Sequence, residues 1–286
     1  MTLTALFLAT ALLAPAAESA VALPARVRPG EAFLVVVRGA RAAPKAIVAG
    51  RALDFFLVRG GFAAVAALPV EAPAGQEEVP VEVPSEEGGT LSVPLAFEVV
   101  PARYPRERIE VEPGYVEPHP PEVLERLEAD RAALAEAFAQ PPTPPLFAGP
   151  FALPRRARVT GRFGVERVLN GVKSSQHYGL DLSGRVGDPV AAANAGKVVL
   201  VRDCWASGKT VVLFHGAGLY TTYLHLSRAL VEEGAKVSRG ERIGLVGRSG
   251  RVSGPHLHFG TKVHDLYVDP ESVLRLPLGV ERPLTP

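Results

Sequence analysis

Gly254-Pro-His-Leu-His-Phe-Gly-Thr261 places histidines two residues apart and apolar residues between them. On an extended strand, successive side chains point to opposite faces, so His256 and His258 share one face while Leu257 and Phe259 share the other. A helix would turn the two histidines apart. The stretch is therefore read as a strand, 257–261 at its core, with one face in a hydrophobic core and two imidazoles on the wall of a cleft. Working outward from it, residues 158–163, 179–182, 196–202, 210–214, 220–224 and 242–246 give further short strand patterns punctuated by glycine. Together they predict a C-terminal antiparallel β-sheet domain over residues 151–275, followed by a tail at 276–286.

The rest of the chain is also mainly β. Runs at 32–38, 46–49, 55–58, 62–68, 79–83 and 91–99, separated by Pro, Gly and Glu turns, predict a small β-sandwich over residues 21–100. Residues 101–150 read as a Pro-rich linker holding one helix, 121–139. In that helix Val123, Leu124, Leu127, Leu134 and Phe138 recur at helical spacing, before the break at Pro141-Pro-Thr-Pro-Pro145. The stripe is expected to pack on a neighbouring domain. Residues 3–17, uncharged and apolar, are too short to span a bilayer and read as the core of a signal peptide over 1–20, with small residues around Ala14, Ala16, Ser19 and Ala20 as cleavage positions. An exported protein acting in the periplasm, in the cell envelope or beyond it is expected, with no membrane span once the leader is removed.

Composition narrows the function. Lys+Arg 31 against Asp+Glu 30 in 286 residues gives a formal charge of +1, so no basic field attracts nucleic acid or an anionic membrane. The lone cysteine, Cys204, excludes an internal disulfide and any thiolate metal site. Glycines at 216–218 and 247–250 match neither a phosphate-binding loop nor a dinucleotide fingerprint. No Gly-x-Ser-x-Gly and no His-Glu-x-x-His occurs, so serine-hydrolase and thermolysin-like chemistry lack their local geometry.

Metal chemistry through nitrogen and oxygen remains. In His177-Tyr-Gly-Leu-Asp181 the glycine and the strand-like continuation argue against a helix, and a histidine and a carboxylate can face one point. Tyr223-Leu-His-Leu226 brings a further histidine, His225, to a strand end. Two histidines, one carboxylate and an open position suit catalytic zinc, which leaves two histidines beside the metal.

With these motifs in view, the region from about Pro154 to Pro270 resembles the lysostaphin-type, or LytM-type, zinc endopeptidases that cut peptides in bacterial cell walls. The resemblance rests on Gly161-Arg-Phe-Gly164, His177-Tyr-Gly-Leu-Asp181, Gly187-Asp-Pro-Val-Ala-Ala192, Ala195-Gly-Lys-Val198, Tyr223-Leu-His-Leu226, Gly240-Glu-Arg-Ile-Gly244 and Gly254-Pro-His-Leu-His-Phe259. It implies that His177, Asp181 and His258 ligate Zn2+, and that His225 and His256 act on the attacking water and the substrate carbonyl, without deciding which is the general base. It also implies peptidoglycan stem peptides or cross-bridges as substrate, with cell-envelope proteins as further partners. Members of the family that lack ligands serve instead as wall-binding modules or as activators of murein amidases, and that is the alternative reading. Phe214 stands before His215-Gly216 where many relatives carry an acidic or amide residue. His119, His215 and His264 match no motif position and are read as structural or surface groups, as are Cys204 and Trp205.

Overall fold

The computed structural model describes residues 18–278 apart from 86, 87, 117 and 172, so most of the expected leader (1–20) and of the tail (276–286) lies outside the described residues. The N-terminal part contains β1 (Ser19–Leu23), β2 (Arg26–Val27), β3 (Ala32–Arg38), β4 (Ile47–Val48), β5 (Arg51–Ala52), β6 (Phe56–Val58), β7 (Gly61–Ala67), β8 (Gly75–Pro84) and β9 (Thr90–Val99). Between the two halves come β10 (Arg106–Ile109) and α1 (Pro121–Ala137). The C-terminal part opens with β11 (Val159–Gly161), β12 (Glu166–Leu169), β13 (Lys173–Gln176), β14 (Leu180–Ser183), β15 (Pro189–Ala191) and β16 (Gly196–Cys204). It continues with β17 (Gly208–Phe214), β18 (Leu219–Ala229), β19 (Lys236–Val237), β20 (Arg242–Val246), β21 (His256–Val263), β22 (Leu266–Val268) and the short α2 (Pro270–Arg275).

The N-terminal strands form two main sheets, ordered β1-β3-β7-β6 and β2-β9-β8 and packed face to face, with β4 and β5 as a separate pair. Phe33, Val35 and Val37 of β3 meet Val81, Leu95, Phe97 and Val99 in the sandwich core. The intervening Leu34 and Val36 face the other way, into a second core shared with the C-terminal sheet. This explains why β3 reads as a continuous apolar run: both of its faces are covered. The long hairpin β8–β9 is covered on one face only, and along β8 Val79, Val81 and Val83 alternate with Glu78, Pro80, Glu82 and Pro84.

The C-terminal sheet follows the path β11-β14-β21-β18-β17-β16-β19, with β15 and β20 paired and attached through β18, and β22 on β21. Leu180, Leu182, Leu257, Phe259 and Tyr223 line its inner face. Its opposite face carries the polar motif residues at one end and Leu200, Val212, Phe214 and Tyr220 at the other. Ala133, Leu134 and Ala137 of α1, with Phe138 just after it, cover that second end. Buried Asp130 ties the helix down by accepting from Arg202 Nε and from the Trp205 backbone N–H, each at 2.7 Å. The expected helix is present and ends two residues early, at Ala137. Leu124 lies off its packed face and is exposed.

The segment read as a linker is more closely tied than its composition suggests. Arg106–Ile109 pairs in parallel with β12, from Arg106↔Glu166 to Ile109↔Leu169. Asn170 then brackets Val111, accepting from its N–H at 2.8 Å and donating to its carbonyl at 3.0 Å. Tyr115 and His119 pack on Trp205, with centroids 4.6 and 4.9 Å away. The tryptophan read as a stray loop aromatic is therefore an anchor for this segment between β10 and α1.

Candidate metal centre and active site

Strands β14 and β21 pair antiparallel with Asp181 directly opposite His258. Cross-strand neighbours point to the same face, so the carboxylate and the imidazole meet. His177 reaches them from the loop before β14. Its Nε2 lies 3.0 Å from Asp181 Oδ1 and 3.0 Å from His258 Nδ1, which is itself 3.0 Å from Asp181 Oδ1. Three ligand-type atoms thus form a triangle of 3.0 Å sides, buried apart from the partly exposed His258.

The surrounding backbone explains the motifs. His177 Nδ1 lies 2.6 Å from the Arg162 carbonyl, which can only accept; the ring proton therefore sits on Nδ1 and the Nε2 lone pair faces the cluster. The His177 N–H donates to Val165 O and the Gly164 N–H to His177 O, each at 2.8 Å, so the Gly161–Gly164 turn cradles the ring. Glycine is required in two places. A Cβ on Gly179 would stand 2.4 Å from His258 Nε2, and one on Gly161 would stand 2.6 Å from Asp181 Oδ2.

His225 and His256 complete the constellation. Their ring centroids are 5.0 Å apart, and His256 Nε2 lies 3.6 Å from Asp181 Oδ1. His225 Nδ1 meets the Ser249 carbonyl and His256 Nδ1 the Gly254 carbonyl, each at 2.9 Å. Both rings therefore keep Nδ1 protonated and Nε2 free as an acceptor. His225 occupies the left-handed region at φ 62°, in the irregular stretch of β18, a conformation costing about 1–3 kcal/mol that the fold must hold in place. Burial, with the nearby His258 and His256, pushes its pKa down to about 3. Burial also lowers His258 against the opposing pull of Asp181. Burial alone would raise Asp181, but hydrogen bonds and charge from His177 and His258 hold the carboxyl well below the usual carboxylate range.

Residues 175–270 match the model of a single family, described as Peptidase family M23. The chain carries a peptidase family M23 domain. Over 103 residues this domain is 45% identical to the peptidoglycan DD-endopeptidase ShyA of Vibrio cholerae, a stretch that covers 36% of this chain and 24% of ShyA. Over 97 residues it is 38% identical to the DD-carboxypeptidase/endopeptidase Mpg of Neisseria meningitidis, covering 34% of this chain and 22% of Mpg. The chain thus spans about a quarter of these curated relatives. The crystal structure of a peptidase M23 from Pseudomonas aeruginosa, described there as putative, superposes with a TM-score of 0.65 at 28% identity, covering 86% of this chain and 94% of that one.

The M23 domain brings all five sequence-derived candidates, His177, Asp181, His225, His256 and His258, to the lining of one cleft of about 440 Å³. His119, His215 and His264 lie outside it. His215 is fully buried, with Nδ1 2.7 Å from Ala195 O and Nε2 2.7 Å from Thr221 Oγ1. Two arginines in the cleft lining carried no signal in the sequence. Arg167 donates from Nη2 to Asp181 Oδ2 at 2.6 Å and so fixes the carboxylate from behind. Arg251 lines the cleft five residues ahead of His256. Neither belongs to a residue pair whose spacing points to chemistry, and an arginine in a strand or a turn reads as a surface residue. Glu107, Ile109 and Val111 add a wall from the segment that was read as linker.

Proposed function

We propose that the protein is an exported zinc-dependent endopeptidase that hydrolyses peptide bonds in the stem peptides or cross-bridges of peptidoglycan. The observation that carries this reading is the triangle of His177 Nε2, Asp181 Oδ1 and His258 Nδ1, with two further imidazoles offering free Nε2 atoms beside it. The donor set fits zinc. It contains two imidazole nitrogens and one carboxylate oxygen, with no thiolate, and its 3.0 Å sides approach the roughly 3.3 Å expected between tetrahedral ligands held 2.0–2.1 Å from zinc. The Arg162 carbonyl behind His177 and the Arg167 guanidinium behind Asp181 supply the outer partners that orient such ligands.

His177, Asp181 and His258 would hold the ion. The chemistry supplied by a bound zinc is Lewis acidity, which makes water nucleophilic near neutral pH and polarises a peptide carbonyl. His225 and His256 move the proton. Each has its Nδ1 proton held by a carbonyl, so each presents an Nε2 lone pair to the cleft; the one that accepts the proton of the attacking water can return it to the leaving amine. The other stabilises charge on the carbonyl oxygen when it is protonated at Nε2 as well, because only then does that nitrogen donate.

The peptidoglycan DD-endopeptidase activity in the name of ShyA, with the endopeptidase activity in the name of Mpg, supports the choice of substrate, and with it action outside the cytoplasm. The test is digestion of purified sacculi by zinc-loaded protein, with mass analysis of the released peptides and metal determination on the same sample. Release of peptide fragments that stops on chelation and returns with zinc is expected. Protein that binds zinc yet releases nothing, alone or with an added amidase, overturns the reading; release only with the amidase would favour an activator.

A further inference from the structure

The cleft holds a cation that the proposed chemistry does not use. Arg251 lines it together with His225, His256 and His258, half-buried. Among the described residues no carboxylate lies within ion-pair distance of its guanidinium. Burial lowers its pKa and the positive charge of Arg167 acts in the same sense, with the Tyr115 hydroxyl opposing. A half-buried guanidinium without a counter-ion is costly unless something else completes its bonding.

The backbone around Arg251 is fixed. Its N–H donates to Ala206 O at 2.7 Å, the Ser249 hydroxyl donates to Leu226 O at 2.8 Å, and Ser249 O receives His225 Nδ1 at 2.9 Å. The loop that presents Arg251 is thus the loop that orients His225, so the guanidinium is held in register with the reacting groups. Across the cleft, Arg167 spends Nη2 on Asp181, and its Nε is buried without a partner. Two guanidinium groups face the cleft against the carboxylates of Asp181, already committed to the histidine cluster, and of Glu107 in the outer wall.

We infer that Arg251 is the receptor for a free carboxylate carried by the substrate peptide beside the scissile bond. The guanidinium fork matches a carboxylate with two parallel hydrogen bonds, and the match is strongest in a cleft that excludes water. An ordinary polypeptide has no backbone carboxylate at such a position. Peptides whose residues are joined through side-chain carboxyl or amine groups keep free α-carboxylates within the chain, and wall peptides are of this class. Arg251 therefore selects wall peptides over protein substrates. The inference rests on the endopeptidase reading above.

The test compares two matched cross-linked peptides that differ only beside the scissile bond, one with a free α-carboxylate and the other with the carboxamide, cleaved by zinc-loaded full-length protein. Wild type is expected to prefer the carboxylate by roughly tenfold or more in kcat/KM, mostly through KM, the scale of a hydrogen bond to a charged group. In Arg251→Gln the ratio of the two kcat/KM values should collapse towards one, and Arg251→Lys should retain part of it. Because the Arg251 side chain makes no hydrogen bond or ion pair to another element among the described residues, thermal melting and zinc content should match wild type. Equal cleavage of both peptides by wild type, or an undiminished preference in Arg251→Gln, overturns the subsite and leaves the endopeptidase reading standing. Failure of wild type to cut either peptide or sacculi overturns both.

Discussion

At the scale of single residues, similar imidazoles differ in which ring nitrogen is tied and to what. His258 turns Nδ1 into the cluster, whereas His225 gives Nδ1 to Ser249 O and leaves Nε2 as an acceptor. His258→Ala is expected to lower zinc affinity on the order of 100-fold or more and to abolish peptide release. His225→Ala should keep zinc and lose about 10²–10⁴ in rate. Metal analysis and sacculus digestion on both variants check this, and equal zinc content with equal turnover would contradict the division of roles. His215 makes a different prediction. It is fully buried, and burial pushes its pKa down to about 4 from an unfolded value near 6.5. Its neutral form is the one that folds, so the unfolded chain takes up a proton first as pH falls. Stability is unaffected above about pH 6.5 and declines towards pH 4, by about 3 kcal/mol from this group. Urea unfolding at pH 7 and pH 4.5 should show a smaller pH dependence in His215→Gln than in wild type, and an identical one would refute the assignment. Strand alternation made the shared face of His256 and His258 legible in the sequence, whereas the division of roles among the histidines came from the family resemblance. The roles of Arg167 and Arg251 were not legible there, because each depends on a partner or a cleft wall brought close only by the fold.

At the scale of elements, what was legible follows from how each strand is covered. β8, β9 and β21 carry apolar and polar residues in alternation, and β3 and β7 are apolar throughout because they lie between two cores. Both patterns are local properties of the chain. Arg106–Ile109 has neither. Its Arg-Glu-Arg-Ile sequence is mostly exposed, and it is a strand only because β12 offers a parallel edge nearly sixty residues later. Parallel pairing between distant segments leaves no turn signal to read. The consequence reaches the site, since this strand leads directly into Ile109 and Val111 at the cleft wall. The helix illustrates the opposite case. Its spacing was readable, but the buried Asp130 that fixes its position was not, because a single acid in a helix reads as a solvated residue until Arg202 and the Trp205 N–H are found around it.

At the scale of the whole molecule, the two halves are not independent. Leu34, Val36, Phe56, Val58 and Val65 of the sandwich lie in the same buried cluster as Leu180, Leu182, Leu257 and Phe259 of the M23 domain. Phe56 meets Phe147 edge to face at 6.3 Å, the Ala32 N–H donates to Ser272 Oγ at 2.9 Å, and the Asp269 N–H donates to Gly30 O at 2.7 Å. Arg51 and Asp265 add a paired charge contact at 2.8 Å on the rim, where the contribution is small. A sandwich folded alone would expose one face of β3 and β7 to water, and the metal-centre sheet would lose part of its core. The full chain is therefore expected to unfold in one cooperative transition. The only tryptophan, Trp205, reports on the M23 domain, while far-UV circular dichroism reports on both halves. Leu34→Ala, outside every site motif yet buried in the shared cluster, should cost about 2–5 kcal/mol and shift both signals together. A Trp205 transition left in place while the circular dichroism splits into two steps would show instead that the halves fold separately, and the M23 domain would then hold the His177, Asp181 and His258 cluster together without support from the sandwich.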